Sequence, residues 1–477
     1  MKTGAWQLGA HTEKEMKMRA IVYTIAAVMV AAVALQQAAK SSNDGTGAGL
    51  RSELPLEVAA RTVLNTTPRH REWVNVPAGS AGVLTFIVYP ERSDKAPVVI
   101  ITSERQGASD WIRAVGDQLA AEGFIAAVPD VKGGEIANGM DAVRQYALAL
   151  PAANGKTVSL DLSRGLSQTA WPQLVSSLNK QTGNHPIPGA NPNVPEDHSA
   201  HIAMAMAQAR AAVQTQAAAP AGYPRGKLAD LPAGVFTAKS TLAYTKLQKE
   251  FADIPVGNAK LHTWVEYPDG EGKAPIVIVM QHGPGLDDWQ RALADQLALQ
   301  GFIAIAPDLH SGFGPNGGNY DSFVGTDEVM RAGARITPEE GIRRYKAAYE
   351  WGIKLPRANG KSATIGFCAG GGYSFRFAGE VPEVNAAVVF YGASPNSETM
   401  GRIKAPVLAF YGEDDARVTA AAEPTAAAMK MIGKSFEFHI YPHATHGFLE
   451  FQDLAGNPAA TADSWAKTIA FLKQHTK

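Results

Sequence analysis

The sequence has few of the features that specify a disulfide-bonded, zinc-stabilised or nucleic-acid-binding protein. Only one of its 477 residues is a cysteine, Cys368, which excludes an internal disulfide and a multi-cysteine zinc site. Lys and Arg number 44 against 45 Asp and Glu, a formal net charge of −1, so we expect no nucleic-acid partner. Hydrophobic residues make up 45% and charged residues 19%, which is typical of a globular protein, and the length predicts several packed domains.

No apolar run matches the roughly 20 residues that a bilayer span requires. The nearest covers residues 20–35, with basic residues at 14, 17 and 19 before it and alanines at 38 and 39 after it. This is the pattern of a secretory signal. We therefore predict a signal peptide or an uncleaved N-terminal anchor over 1–39, then a linker over 40–68. The protein is expected to be exported, either to the periplasm or to the extracellular space, with no other membrane contact.

The chain contains an internal repeat. Residues 110–130 and 288–308 are identical at 14 of 21 positions without a gap, at an offset of 178. A later pair, 153–165 and 358–370, matches at an offset of 205, so the second copy carries 27 extra residues between the two blocks. Such self-similarity indicates that one fold occurs twice.

The second copy alternates short apolar runs with segments of helical periodicity. This predicts a doubly wound, mostly parallel α/β sheet with helices on both faces. The predicted strands are Leu261–Tyr267, Ile276–Met280, Phe302–Ala306, Ala363–Phe367, Ala387–Tyr391, Val407–Tyr411 and Phe436–Tyr441, and the predicted helices are 288–300, 338–354, 369–379, 419–432 and 461–475.

The first copy stops early. Nothing after Ser163 matches the last three strands of the second copy, and a Pro-, Ala- and Asn-rich segment follows instead. We predict a degenerate partial domain over 69–180, a loop, helix and linker over 181–235, and a complete domain over 236–477. Because a half-sheet exposes an edge strand, the first copy should pack against the second copy or against another chain.

Cys368 lies in the sequence Gly366-Phe367-Cys368-Ala369-Gly370, between a predicted strand and a predicted helix. A nucleophile elbow requires this context, since flanking glycines permit the tight turn. The helix N-terminus would favour a thiolate and a developing oxyanion. The alternative is a buried structural cysteine.

Two further residues follow in the order nucleophile, acid, histidine. Asp415, or alternatively Asp414, comes directly after a predicted strand, and His446 follows the last strand. Asp415 would orient the imidazole of His446, which would act first as base and then as acid.

The loop Gln281–Gly285 follows the strand that ends at Met280. In this architecture such a loop donates one oxyanion N–H, and the residue after the nucleophile donates the other. The predicted donors are the backbone N–H groups of Gly283 and Ala369. His282 is either a pocket residue or a structural one.

These motifs together resemble the dienelactone hydrolase family of the α/β-hydrolase superfamily. The resemblance spans the second half and rests on segments 366–372, 411–418, 444–448 and 301–309. It implies an α/β-hydrolase fold, preceded here by a partial repeat of that fold, and a Cys–Asp–His triad. It also implies hydrolysis of a small-molecule ester or lactone through a thioester, with no metal or organic cofactor.

The sequence departs from this family at two pocket positions. Family members acting on dienelactone carry a Glu in the oxyanion loop, where this chain has His282, and an Arg four residues after the catalytic histidine, where it has Glu450. The resemblance therefore implies the fold and the triad but not dienelactone as the substrate.

The Gly-rich insertion over 310–337 is expected to overhang the site. Its Tyr320, Arg331 and Arg335 are candidate substrate contacts, with solvated loop side chains as the alternative.

In the first copy, Ser163 aligns with Cys368, but Asp161 replaces the first elbow glycine and Glu104 stands where the second copy has His282. No matching Asp and His strands follow, and the histidines of the tail, His185, His198 and His201, have a loop-like context. We predict that Ser163 is not a working nucleophile and that the first copy is structural, a lid or a binding surface.

Two other function classes remain open from the sequence. One is a non-catalytic binding or scaffold protein that keeps the fold. The other is a thiol redox protein that uses Cys368 with an external thiol, because the chain has no second cysteine.

Overall fold

The computed structural model describes residues 54–78, 81–103, 107–131, 136–185, 232–257, 259–452, 454 and 456–477. The predicted signal or anchor, most of the two linkers, Glu104, His198 and His201 lie outside these ranges. Within them, no helix has the length and apolar character needed to cross a membrane.

The first half contains a five-stranded sheet flanked by helices. Its strands are β1 Arg71–Ala78, β2 Ala81–Val88, β3 Ala96–Thr102, β4 Ile125–Pro129 and β5 Ala153–Asp161, and its helices are α1 Ala60–Thr66, α2 Asp110–Ala121, α3 Ile136–Leu148 and α4 Trp171–Thr182. The spatial order is β1-β2-β4-β3-β5. β2 pairs antiparallel with β1 and β4, whereas β3 pairs parallel with β4 and β5.

The second half contains an eight-stranded sheet. Its strands are β6 Lys249–Val256, β7 Ala259–Glu266, β8 Ala274–Met280, β9 Ile303–Pro307, β10 Ala358–Phe367, β11 Ala386–Phe390, β12 Val407–Gly412 and β13 Phe436–Tyr441. Its helices are α5 Ala238–Tyr244, α6 Asp288–Leu299, α7 Thr326–Gly333, α8 Pro338–Gly352, α9 Ala369–Glu380, α10 Ser397–Arg402, α11 Ala416–Thr419, α12 Ala422–Met431 and α13 Asn457–His475. The order is β13-β12-β11-β10-β8-β9-β7-β6.

The two sheets confirm the predicted repeat. Strands β6, β7, β9, β8 and β10 repeat the order of β1, β2, β4, β3 and β5, and the first sheet ends where the second continues into β11, β12 and β13. Even the helix caps correspond, since Ser109 accepts a hydrogen bond from the third residue of α2 and Asp287 does the same at α6. This is the α/β-hydrolase fold, preceded by a partial copy of itself.

The buried strands of the second half are the predicted apolar runs. Residues 276–280 and 303–306 are completely buried, as expected where helices cover both faces of a parallel sheet. All seven predicted strands are present, with ends that differ by at most five residues. Strand β6 was not predicted. It is an antiparallel edge strand with mostly half-exposed or exposed residues, and its charged residues and proline interrupt the alternation of apolar and polar residues.

The first half packs directly against the second, which is one of the two partners that the sequence left open. The Arg113 guanidinium, which is 3% exposed, pairs with Asp327 of α7, and Arg331 pairs with Asp130. On another side, the Ala416 backbone N–H donates to the Arg92 carbonyl at 3.2 Å. The helix at the end of the predicted insertion therefore forms part of the interface between the two halves.

Candidate active site

Cys368 occupies a strained turn between β10 and α9. Its φ is 55° and its ψ is −118°, a conformation that a non-glycine residue adopts only under strong constraint. A Cβ on Gly366 would approach the Gly370 carbonyl oxygen to 1.9 Å, and a Cβ on Gly370 would approach the Met280 carbonyl oxygen to 2.1 Å. Both glycines are therefore sterically required, as a nucleophile elbow demands.

Asp415 and His446 come together at the carboxyl edge of the sheet. Asp415 follows β12 and His446 lies in the loop after β13. The His446 Nδ1–H donates to Asp415 Oδ2 at 2.5 Å, and both side chains are buried. The Asp414 backbone N–H donates to the Ala444 carbonyl at 3.0 Å, so the loop after β12 is hydrogen-bonded to the loop after β13.

The thiol lies beside this pair and also beside a histidine of the first half. Nδ1 of His70 is 3.7 Å from the Cys368 Sγ. The His70 and His446 rings have centroids 4.2 Å apart. One donor atom from each of His70, Cys368 and His446 lies within 4.8 Å of the other two. Cys368 is thus flanked by two imidazoles, one from each half.

Surrounding charges favour an ionised thiol. Burial alone would raise the pKa of Cys368, but the positive charges of His446 and Arg417 outweigh it and lower that pKa. Burial would likewise lower the pKa of His446, yet Asp415 and the thiol raise it to about 9. These directions favour a thiolate–imidazolium pair, the reactive form of a cysteine nucleophile.

The predicted oxyanion donors lie on adjoining elements. Ala369 is the first residue of α9, where backbone N–H groups have no intrahelical acceptor. The close approach of Gly370 to the Met280 and Gln281 carbonyl oxygens brings the start of α9 against the loop that contains Gly283. This loop is closed by a hydrogen bond from the Gly285 N–H to the His282 carbonyl at 3.1 Å.

The two departures from the family pattern are bonded to each other. His282 Nδ1 is 3.2 Å from Glu450 Oε2, and its Nε2 is 3.2 Å from Asp287 Oδ2. Although burial lowers it, the pKa of His282 rises to about 10 because of these two carboxylates. The His282 imidazolium is therefore held between the carboxylates of Asp287 and Glu450.

The candidate contacts from the insertion have protein partners. The Tyr320 ring packs over Gly285, where a Cβ would come within 2.8 Å of it. Arg331 pairs with Asp130 of the first half, and Arg335 stacks over Phe313 at 5.6 Å. Met330 reaches Gly283, so the insertion does cover the oxyanion loop.

Two groups of side chains have the spacing of metal ligands. The first is His70, Cys368 and His446, in which the raised pKa of His446 keeps its imidazole protonated and without a free lone pair for a metal ion at neutral pH. In the second, His282 already uses its two ring nitrogens on opposite sides for Asp287 and Glu450.

The model of the dienelactone hydrolase family matches residues 83–170 and 261–476, which include segments of both halves. The chain belongs to the dienelactone hydrolase family.

Relatives from this family align with about half of the chain. A protein of Saccharolobus solfataricus named "Putative carboxymethylenebutenolidase" is 28% identical over 255 residues, 46% of this chain and 96% of the relative. The carboxymethylenebutenolidase of Pseudomonas sp. strain P51 is 28% identical over 225 residues, 46% of this chain and 92% of the relative. The solved dienelactone hydrolase of Anabaena variabilis is 21% identical, with a TM-score of 0.39 over 49% of this chain and 100% of its own.

Two residues near the Cys368 thiol, Arg417 and His70, were not predicted from the sequence. Arg417 lies two residues after Asp415, in a segment that carries the family resemblance. Only its proximity to the thiol in the structure distinguishes it from its neighbours in that segment. His70 lies just before β1, where the second copy has Gln248 at the matching position. Nothing local marks it as functional, because its contact with Cys368 spans 298 residues of sequence.

Proposed function

We propose that this protein hydrolyses a small-molecule carboxylic ester or lactone, with Cys368 as nucleophile, His446 as acid and base, and Asp415 as the group that orients His446. The observation that carries the proposal is the strained position of Cys368 at the head of α9, beside a histidine that donates to a buried aspartate. An inert structural cysteine would need neither the backbone strain nor the charged partners.

In the first step, the Cys368 thiolate attacks the carbonyl carbon and its electron pair forms the carbon–sulfur bond. The carbonyl oxygen becomes an oxyanion, which the N–H groups of Gly283 and Ala369 stabilise. The intermediate then collapses to a thioester, and the His446 imidazolium gives its proton to the departing alkoxide. With a lactone substrate, the alcohol stays attached to the acyl group.

In the second step, water attacks the thioester. Neutral His446 takes a proton from this water, and a second oxyanion forms in the same position. Collapse expels the thiolate, releases the carboxylic acid and restores the imidazolium. Asp415 holds the imidazole in the orientation that both proton transfers need.

A thiolate nucleophile favours esters and lactones over amides. The tetrahedral intermediate expels its better leaving group, and a thiolate leaves more readily than an amine. An alkoxide leaving group that is protonated by His446 departs more easily, so acylation can proceed.

We also propose that the protein is exported, on the basis of the signal-like pattern in residues 1–39. Expression of the full chain in a bacterial host, followed by fractionation and mass measurement, tests this. Recovery outside the cytoplasm, either shortened near residue 39 or membrane-attached at full length, is expected. An uncleaved chain in the cytoplasm contradicts export.

The activity is tested with a panel of p-nitrophenyl esters and lactones, with product release followed against protein whose Cys368 has been blocked by iodoacetamide. Multiple turnovers by the free protein and loss of turnover in the blocked protein are expected. No turnover across the panel from a protein with a reactive Cys368 would contradict the proposal, and peroxide consumption in its place would favour a thiol redox protein.

A further inference from the structure

We propose that His70 is a catalytic residue supplied by the first half, whose Nδ1–H donates a hydrogen bond to the Cys368 thiolate of the second half. This rests on the proposed function, because it assigns a role at the same thiol. The first half thereby takes part in the reaction through His70, although its own Ser163 is not a nucleophile.

The contact is held by the fold of the first half. His70 immediately precedes β1, and its carbonyl accepts a hydrogen bond from the Tyr89 N–H at 3.0 Å, just beyond the first pair of the β1–β2 ladder. The His70 ring lies 5.3 Å from the Tyr89 ring and 4.2 Å from the His446 ring. With its side chain 7% exposed, the imidazole is fixed between the first half and the catalytic histidine.

Charges around His70 decide its protonation. Burial and the neighbouring cations Arg417, His446 and Arg71 hold the pKa of His70 well below its ordinary value. His70 is therefore neutral at physiological pH and carries one ring proton.

The position of that proton follows from the contacts. The Nδ1 atom faces a sulfur that is ionised in the thiolate–imidazolium pair, and a thiolate can only accept a hydrogen bond. Nε2 is buried and has no hydrogen-bond partner among the described residues. A proton on Nε2 would leave a buried donor unpaired, whereas a proton on Nδ1 is paired with the thiolate.

The consequence is a thiolate stabilised from two sides. His446 supplies a nearby positive charge, and His70 supplies a neutral donor that does not compete for the catalytic proton. Arg417 and His282 add positive charge, while Tyr391 also adjoins the thiol. In deacylation the same N–H of His70 would stabilise the departing thiolate.

The test is the pH dependence of Cys368 alkylation by iodoacetamide, measured in the full chain. The variants are His70→Leu and His70→Ala, which both remove the donor, with thermal unfolding used to establish that each is folded. His185→Gln is the matched control, because His185 is an exposed histidine of the same half. The readout needs no ester substrate, so failure of the proposed hydrolysis and failure of this contact give separate results.

We expect the midpoint of alkylation to rise by about one pH unit in each folded His70 variant, which corresponds to about tenfold slower alkylation at pH values below both midpoints. This is the smaller end of the range for a hydrogen bond to a charged group, as suits a 3.7 Å contact to sulfur. The profile of His185→Gln should match that of the wild type. A wild-type profile in a folded His70 variant would overturn the proposal.

Discussion

The two halves share one strand order. They diverge at the end of the fifth strand along each half, which is β5 in the first half and β10 in the second. In the second half, β10 leads through Gly366 into the strained Cys368 and directly into α9. In the first half, β5 ends at Asp161, whose carboxylate accepts hydrogen bonds from both the Ser163 N–H at 2.9 Å and its hydroxyl at 2.6 Å. Asp161 stands where the second half has Gly366. Its carboxylate closes a loop on Ser163, where the second half has the strained turn at Cys368.

The first half keeps the strand order of the second half but has a loop held by Asp161 in place of the strained turn at Cys368. Its described residues contain no counterparts of β12 and β13, the strands that position Asp415 and His446. It keeps a packed core and contributes to an interface with α7 and the loop after β12. From that interface His70 reaches the surviving nucleophile.

Removal of the side chain at each of the two aligned positions, Cys368 and Ser163, should separate the two halves most strongly. Cys368→Ala should reduce kcat/KM for any hydrolysed ester at least about 1000-fold, because no thioester can form. Ser163→Ala should leave it unchanged, and it serves as the matched control. Equal losses in both variants, measured with p-nitrophenyl esters, would show that the first half has a working site of its own.

The acid of the second half gives the next largest effect. Asp415→Asn should lower kcat about 100-fold or more, because the amide cannot stabilise the imidazolium or hold its tautomer. Asp414→Asn, the adjacent control, should change kcat less than about threefold, since the Asp414 backbone rather than its carboxylate joins the neighbouring loop. The reverse ranking in steady-state kinetics would place the acid one residue earlier.

The pH profile of kcat/KM separates a thiol site from a serine site. Since positive charge lowers the pKa of Cys368, activity should rise at a pH below that at which an ordinary thiol ionises. It should fall as His446 loses its proton near pH 9, because the leaving alkoxide then lacks an acid. An activity that rises only above pH 9 would contradict the thiolate–imidazolium pair.

The smallest expected effect concerns the charge network at His282 and Glu450. His282→Glu would place three carboxylates together, and Glu450→Arg would face an imidazolium, so each should lower the free energy of unfolding. The double variant restores opposite charges, and denaturant titration should give a coupling free energy of roughly 0.5–3 kcal/mol. Strictly additive losses would show that the two side chains do not interact.

The same network makes stability depend on pH. The pKa of His282 is about 10 in the folded protein against an ordinary value of 6.5. Its contribution to stability is therefore full below pH 6.5 and is lost as the pH rises through about 10. His282→Gln should flatten the fall in unfolding free energy over this range.

Local patterns were sufficient for most of the fold. Apolar runs such as 276–280 and 303–306 predicted the central strands because complete burial excludes polar residues from them. The edge strand β6 was missed because one side of an edge strand faces solvent and accepts charged residues. The repeat itself was visible as identity between 110–130 and 288–308.

The site was predictable only where short motifs encode backbone geometry. The glycines around Cys368 indicate a turn that only they permit, and the segments after β12 and β13 place an aspartate and a histidine at one sheet edge. By contrast, His70 meets Cys368 across 298 residues and Glu450 meets His282 across 168. Such contacts depend on how the two halves and distant loops pack, which no local pattern encodes.

In the proposed mechanism one nucleophile, Cys368 in the second half, does the chemistry for the whole chain. Rapid acid quench during turnover of a p-nitrophenyl ester, followed by proteolysis and mass spectrometry, locates the acyl group directly. We predict that the acyl mass appears only on the peptide that contains Cys368. An acyl group on the peptide that contains Ser163, or turnover with no acyl group on Cys368 in single-turnover samples, would contradict the account.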